Sequence, residues 1–228
     1  MNDSEAIDVE YLRGSRTTET TILNAGQTTN FVFQINDLEL SEEEIDQINS
    51  ISTRSKVMDR VDHIKKAGGV FQFYKCQKNV FKNNLILIDS LLPQILSFMV
   101  LDFYTSKRSR LVDLVEKITE QNPLKYNTSD DHKFYDYKIK RFLTDIALGM
   151  MPVTVWTGQY DATGGYLVVK ESGEVLCYHI YNRNEFENYL FNNTRFETAS
   201  STRHEFGKIY WEDGEFFFKL NLQIRFIQ

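Results

Sequence analysis

The sequence predicts an α+β fold, a helical amino-terminal half followed by antiparallel hairpins. Three observations carry that expectation. Apolar residues recur at helical spacing in successive segments up to Gly149. Past Pro152 the pattern changes to runs of β-branched and aromatic residues joined by Gly-containing turns. The chain has 228 residues and 42% hydrophobic content, enough to bury a real core without disulfide staples. Residues 1–20 show neither period and read as a loose lead-in. Residues 21–228 read as a single α+β domain, with helices to about 149 and a β-rich part over 150–228.

In order, Asn30 to Ile35 alternates as a strand does, and Asn36-Asp37 supplies a turn. Ser41-Glu42-Glu43-Glu44 is a capping box ahead of Ile45, Ile48 and Ile51. A second helix runs from about Arg54 to Ala67, with Val57, Val61 and Ile64 on one face, and Gly68-Gly69 stops it. Val70 to Tyr74 reads as a strand. The apolar segment from Asn79 to about Tyr104 is helical, with Pro93 marking a kink or a boundary between two helices. Leu111, Leu114, Val115 and Ile118 give another amphipathic helix. Gln121 to Asp131 is a loop ending in a helix cap, followed by a helix to Gly149. Tyr166 to Lys170 and Val175 to Tyr181 form a hairpin about Glu171-Ser172-Gly173-Glu174. Asn182 caps a short helix from Arg183 to about Phe191, and residues 192–207 read as polar loop. A last hairpin turns at Glu212-Asp213-Gly214 and runs out along Glu215 to Ile227.

Composition narrows the classes of function. With 11 Gly and 3 Pro the chain is neither collagen-like nor low-complexity. Cys76 and Cys177 are too few for a disulfide scaffold, so a reduced, cytoplasmic protein is expected. The most apolar stretch, Leu85 to Phe103, is interrupted by Asp89, Pro93, Gln94 and Asp102, and reads as a buried helix rather than a membrane span. The net charge of −6 conceals an asymmetry: the first 50 residues hold two basic residues against 11 acidic ones, leaving 24 basic and 21 acidic in the remainder. That balance leaves a local basic face, and a nucleic-acid partner, open.

Common catalytic signatures are missing from the sequence. His63, His132, His179 and His204 show no metal-ligand spacing, and there is no Gly-x-Ser-x-Gly elbow, dinucleotide fingerprint or phosphate-binding Gly-Lys-Ser/Thr loop. The Gly158 to Gly165 stretch is Gly-rich at both ends but lacks the lysine, and reads as a turn feeding a strand. The informative region is Trp156 to Phe226. Asn192-Asn193-Thr194 and Ser200-Ser201-Thr202-Arg203-His204 offer short donors and a planar fork, suited to phosphate oxygens and base edges. Lys219, Asn221, Gln223 and Arg225, two residues apart, put polar groups on one strand face, with Leu220, Leu222, Ile224 and Phe226 on the other. Such a face is either a half-exposed edge strand or a surface laid against DNA, with Gln223 and Arg225 able to pair with base edges.

Three words resemble the carboxy-terminal half of the HpaII family of type II restriction endonucleases: Cys177 to Arg183, Thr202 to Gly207 and Phe218 to Phe226. Further matches in order are Thr21 to Ala25 with Thr29-Asn30-Phe31, Asn84-Leu85 with Asp89, and Ala147 to Met150. The likeness runs from about residue 14 to the end. It implies cleavage of double-stranded DNA at a short palindromic site, CCGG for the family prototype, by a PD-(D/E)xK core with Mg²⁺. In such a core carboxylates hold the cation and a lysine positions or deprotonates the attacking water.

On this resemblance 150–228 becomes the DNA-recognition part. Asn182, Arg183, Arg203, His204, Gln223 and Arg225 are the expected DNA contacts from their side-chain chemistry. The catalytic centre departs from the family. In the family pattern a strand reading Phe-Ser-Ile-Lys-Ser precedes the Leu-Asn-Ala word and supplies the catalytic lysine. Counting back from Gly14 puts Glu10 where that lysine stands and Asp8 where a serine stands. Asp8 and Glu10, two apart on one strand face, are therefore the candidate catalytic and Mg²⁺-binding residues. Arg13 and Arg16 are the nearest cations, but a guanidinium is no base at neutral pH. The expected fold is thus restriction-endonuclease-like with an incomplete nuclease core, in a copy truncated or frame-disrupted at its amino end. The alternatives are a truncated, non-catalytic DNA-binding remnant, and a scaffold domain without nucleic acid. A homodimer is left open.

Overall fold

A computed structural model describes residues 21–160, 165–169, 175–179 and 183–227 of the chain. In chain order the elements are β1 (Thr21–Leu23), β2 (Asn30–Asn36), α1 (Glu42–Ser50), α2 (Lys56–Lys66), β3 (Val70–Cys76), α3 (Asn79–Ile88), α4 (Leu92–Ser106) and α5 (Leu111–Gln121). They continue with α6 (Phe134–Ala147), β4 (Gly165–Val169), β5 (Val175–His179), α7 (Arg183–Asn192), β6 (Thr194–Phe196), β7 (Ile209–Glu212), β8 (Glu215–Asn221) and β9 (Ile224–Phe226). The α+β class expected from the sequence is what forms. The lead-in expected over residues 1–20, including Asp8 and Glu10, lies outside the described residues, as does Asn182.

The largest sheet has the order β3-β2-β8-β7, all antiparallel. One face is built from phenylalanines because alternate positions of β2, β3 and β8 carry them. Phe31 and Phe33 of β2 meet Phe73 and Phe71 of β3, and Phe71 meets Phe218 of β8, edge-to-face or tilted at 5.7–6.3 Å. Each fully buried side chain of this kind contributes roughly 1.5–3 kcal/mol over leaving it in water. Helix α4 lies at the centre of the core. Leu92, Ile95, Leu96, Met99, Val100, Phe103 and Tyr104 are all buried, and the helix touches α2, α3, α5, β3 and β8.

Local signals held where they were strongest. The Ser41 hydroxyl accepts from the Glu44 amide, while the Glu44 carboxylate accepts from the Ser41 amide at 2.8 Å. Those bonds hold the Glu44 carboxyl below its usual pKa. Pro93 sits in the first turn of α4, and α3 and α4 meet at 110°. No single described helix is long and apolar enough to cross a membrane. Asp89 fastens that corner, accepting from the Leu91 amide at 2.9 Å and pairing with Lys138 of α6. Buried Asn84 fastens the segment after α6: its amide donates to the Met151 and Thr154 carbonyls and its oxygen accepts from the Trp156 amide.

Four local expectations change. Helix α6 begins at Phe134, past the Ser129-Asp130-Asp131 cluster, so Lys133 falls at the cap position and no side chain caps the helix. Residues 192–207 contain β6. The run from Glu215 to Ile227 is two strands rather than one: β8 ends at Asn221, and β9 pairs with β1 and β6 in a separate three-stranded sheet of order β1-β9-β6. The break occurs because the Leu222 amide donates to the Thr29 carbonyl and draws the chain across the end of β2. β8 is also an interior strand, between β2 and β7, not a half-exposed edge. The third sheet is the hairpin β4-β5, with Tyr166 opposite Tyr178.

Candidate nucleic-acid interface

The segment from Ser200 to Gly207 is a tight, anchored turn. Phe206 is buried against the Tyr104 ring, and the Gly207 amide donates to the Lys219 carbonyl at 2.9 Å. Gly207 holds a positive φ of 79°, and a side chain there would stand 2.7 Å from Val57 of α2. The buried Arg60 guanidinium gathers three carbonyls, those of Gly207, Asn49 and Ile51, at 2.5–2.7 Å. Two structural positions thus hold a turn whose exposed members are Ser200, Thr202, Arg203 and Glu205.

Beside that turn lies a buried amide network. Asn221 donates to the Gly26 carbonyl, the Thr29 hydroxyl and the Asn30 side-chain oxygen at 2.7–3.1 Å. Asn30 in turn donates to the Gln77 side chain and to the His204 carbonyl, both at 2.9 Å. The His204 backbone is therefore fixed from the sheet. Its imidazole has a pKa below the usual value, first because it is partly withdrawn from water and second because Arg203 stands beside it.

The structure places the remaining sequence-predicted residues apart from one another. Arg183 opens α7 and pairs with Glu187 at 2.7 Å. Gln223 is buried, 8% exposed, in the two-residue step between β8 and β9, and its carbonyl accepts from the Glu197 amide. Asn221 is buried with its side-chain nitrogen committed to the network, which removes it from the polar face drawn along one strand. In the polar loop, Asn193 and Thr194 are used locally: their side chains donate to the Tyr189 and Leu190 carbonyls at the end of α7. Arg225 lies in mid β9, opposite Thr21 of β1 on one side and Arg195 of β6 on the other.

That last register exposes what sequence reasoning missed. Arg195 is also bridged to Arg110, so Arg225, Arg195 and Arg110 stand in one row across neighbouring segments, directly opposite one another. Residues facing each other across a sheet share a face. The opposite face carries Thr194, Phe196 and Ile224, all buried. Arg195 pairs with Glu197 at 3.0 Å. Arg110 is exposed and belongs to Lys107-Arg108-Ser109-Arg110, the turn joining α4 to α5, where Arg108 reaches Asp102 at 3.5 Å. Three cations in four residues between two helical patterns was the available signal.

Acidic groups elsewhere are taken up in structure. Asp145, buried on α6, accepts from Tyr160 at 2.8 Å and pairs with Arg141 at 3.1 Å. Burial pushes its carboxyl up, opposed by the Tyr160 hydroxyl and by Arg141. Burial likewise raises Glu187, opposed by Arg141 and Lys140. Glu187, with Lys133, Asp136, Lys138 and Lys140, lines a cleft of about 590 Å³ between α6 and α7. Among the described residues no group of three or more His, Cys, Asp or Glu side chains is placed to hold a metal ion.

A mixed α+β scaffold with a basic sheet face is the setting in which kinship becomes informative. The family model described as HpaII restriction endonuclease matches residues 11–226, and the chain belongs to that family. The type II restriction enzyme HpaII of Haemophilus parainfluenzae is 52% identical over 207 residues, covering 91% of this chain and 56% of that enzyme. The chain thus spans just over half the length of this relative. No solved structure gives a significant match.

Proposed function

We propose that this chain binds duplex DNA at a short palindromic site, with CCGG the candidate sequence, and that it acts as a type II restriction endonuclease hydrolysing phosphodiester bonds with Mg²⁺. The observation that carries the reading is 52% identity along 91% of the chain to a type II restriction enzyme. The basic row on the β1-β9-β6 sheet supports the DNA half of it. Residues 21–228 act as one domain in this reading, with recognition centred in 150–228. Arg203 and His204 contact backbone phosphates or base edges from their anchored turn, and Asn182 and Arg183 are further candidate contacts. Gln223 and Arg225 are the base-reading candidates, and Asp8 and Glu10 the Mg²⁺ ligands. A palindromic site matches a two-fold homodimer.

A gel assay with and without Mg²⁺ tests both halves. Defined fragments from a CCGG duplex support cleavage. Retarded but intact duplex supports the binding-only alternative, a reading favoured by Glu10 occupying the position where the family pattern has lysine. No retardation at low salt overturns the DNA reading. Within it, Gln223→Ala relaxes discrimination at one base pair by about 1–3 kcal/mol. Arg203→Ala weakens all duplexes alike and lowers the salt slope by about one.

A further inference from the structure

We infer that Arg110, Arg195 and Arg225, together with Lys107 and Arg108, form a track for the phosphate backbone of duplex DNA. This rests on the DNA-binding reading above and assigns it a surface. The three arginines come from three separate parts of the chain, the α4–α5 turn, β6 and β9, and only the sheet register brings them into line. Adjacent strands lie about 4.8 Å apart, so the row extends about 10 Å. That is close to the axial rise of three base pairs, over which one strand presents about three phosphates.

Charge supports the same occupant. Like charges directly opposite one another across a sheet oppose its formation. Here two such juxtapositions are kept, Arg225 with Arg195 and Arg195 with Arg110. Glu197 pairs with Arg195 at 3.0 Å, and Asp102 stands 3.5 Å from Arg108. Lys107 and Arg110 are exposed. The alternate positions Thr194, Phe196 and Ile224 are buried, so by the period of the strand Arg195 and Arg225 share the other face, where both are partly exposed. A planar guanidinium suits paired phosphate oxygens, and a linear row of them suits a linear polyanion better than a single carboxylate.

The role differs from the one the sequence proposed for Arg225. A phosphate track positions the duplex and carries no base information. Its signature is therefore a uniform loss of affinity and a smaller salt dependence, rather than relaxed specificity.

The test is the affinity of the 228-residue chain for a CCGG duplex and for a scrambled duplex, each measured from 50 to 200 mM salt without divalent ion. Arg110→Gln combined with Arg195→Gln should lower the slope of log K against log salt by about two on both duplexes. Across that salt range the variant then loses roughly tenfold less affinity than the parent. Arg195 is partly buried, so Lys107→Gln with Arg110→Gln, both exposed, provides a second variant with the same expected behaviour. Lys66→Gln on α2 serves as the surface control and should leave the slope unchanged. Circular dichroism and the unfolding midpoint confirm that each variant is folded. Unchanged slopes in both folded double variants, with the parent binding DNA, overturn the track and leave the DNA reading standing. Losses confined to the CCGG duplex overturn it in favour of base reading. A parent chain that binds neither duplex at 50 mM salt overturns the DNA reading itself.

Discussion

The Asn221 side-chain amide donates to the side-chain oxygen of Asn30 at 2.7 Å, inside the protein, across the last rung between β8 and β2. Both residues are almost fully buried. The pair joins stretches that lie far apart in the sequence: the turn at Gly26 and Thr29, the end of β8, and the His204 carbonyl. These are three of the segments that carry the family resemblance, and here they meet in one hydrogen-bond network.

Replacing Asn221 by Ala strands the Asn30 side-chain oxygen without its donor, and leaves the Gly26 carbonyl to the Thr29 amide and hydroxyl alone. The expected cost is about 2–3 kcal/mol, since buried groups that lose a partner pay their desolvation in full. Urea unfolding should show a lower midpoint with an unchanged m-value. A midpoint equal to the parent's would show the network to be incidental.

Gly207 and Gly214 share a positive φ, 79° and 87°, but not their surroundings. A Cβ at Gly207 meets Val57 at 2.7 Å, while one at Gly214 meets nothing within 4 Å. Gly214→Ala should cost about 1–2 kcal/mol from backbone strain alone. Gly207→Ala should cost about 2–4 kcal/mol, because overpacking adds to the strain. Equal thermal midpoints for the two variants would remove the packing contribution.

Arg60 sits under the 200–207 turn with its guanidinium on three main-chain carbonyls. Arg60→Leu leaves all three unsatisfied and should destabilise by about 3 kcal/mol or more. Amide exchange should quicken around residues 49–51 and 205–209 before it does elsewhere. Protection lost evenly over the whole chain would argue against a local anchor.

Asp145 gives a pH dependence. Its folded pKa is raised by burial, and Tyr160 and Arg141 hold it down. A carboxyl raised in the folded state costs stability as pH rises from the unfolded value of about 3.8 through the folded one. Tyr160→Phe removes one hydrogen bond to the carboxylate and raises that pKa further. The variant should therefore lose more stability at pH 7 than at pH 4, read from unfolding midpoints at the two values. A loss independent of pH would mean that Tyr160 acts through packing alone.

Much of the local structure was legible in the sequence for a stated reason. The Ser41–Glu44 box, the Gly68-Gly69 stop, the Pro93 boundary and the Asp213-Gly214 turn are all set by residues within four positions of each other. Their backbone preferences are local, so neighbours suffice to decide them. The strands of the Phe-rich sheet were legible as strands, but not as partners. Nothing near Asn30 in the chain says that it will lie beside Asn221.

The candidate site follows the same division. Arg203 and His204 were legible as candidates because their cluster is contiguous. Asn221 looked like a member of an exposed polar face, since strict alternation holds only while a strand stays in one sheet. The bond from the Leu222 amide to the Thr29 carbonyl ends that strand, so Asn221 is spent inside and Arg225 emerges in a different sheet. By itself the sequence determined the class of fold, the family and most element boundaries, because propensity, capping and hydrophobic period act over a few residues. Only the tertiary structure decided which strands pair, which amides are buried and that Arg110, Arg195 and Arg225 share one face. Those outcomes depend on hydrogen-bond register between segments distant in the chain, which no local preference encodes.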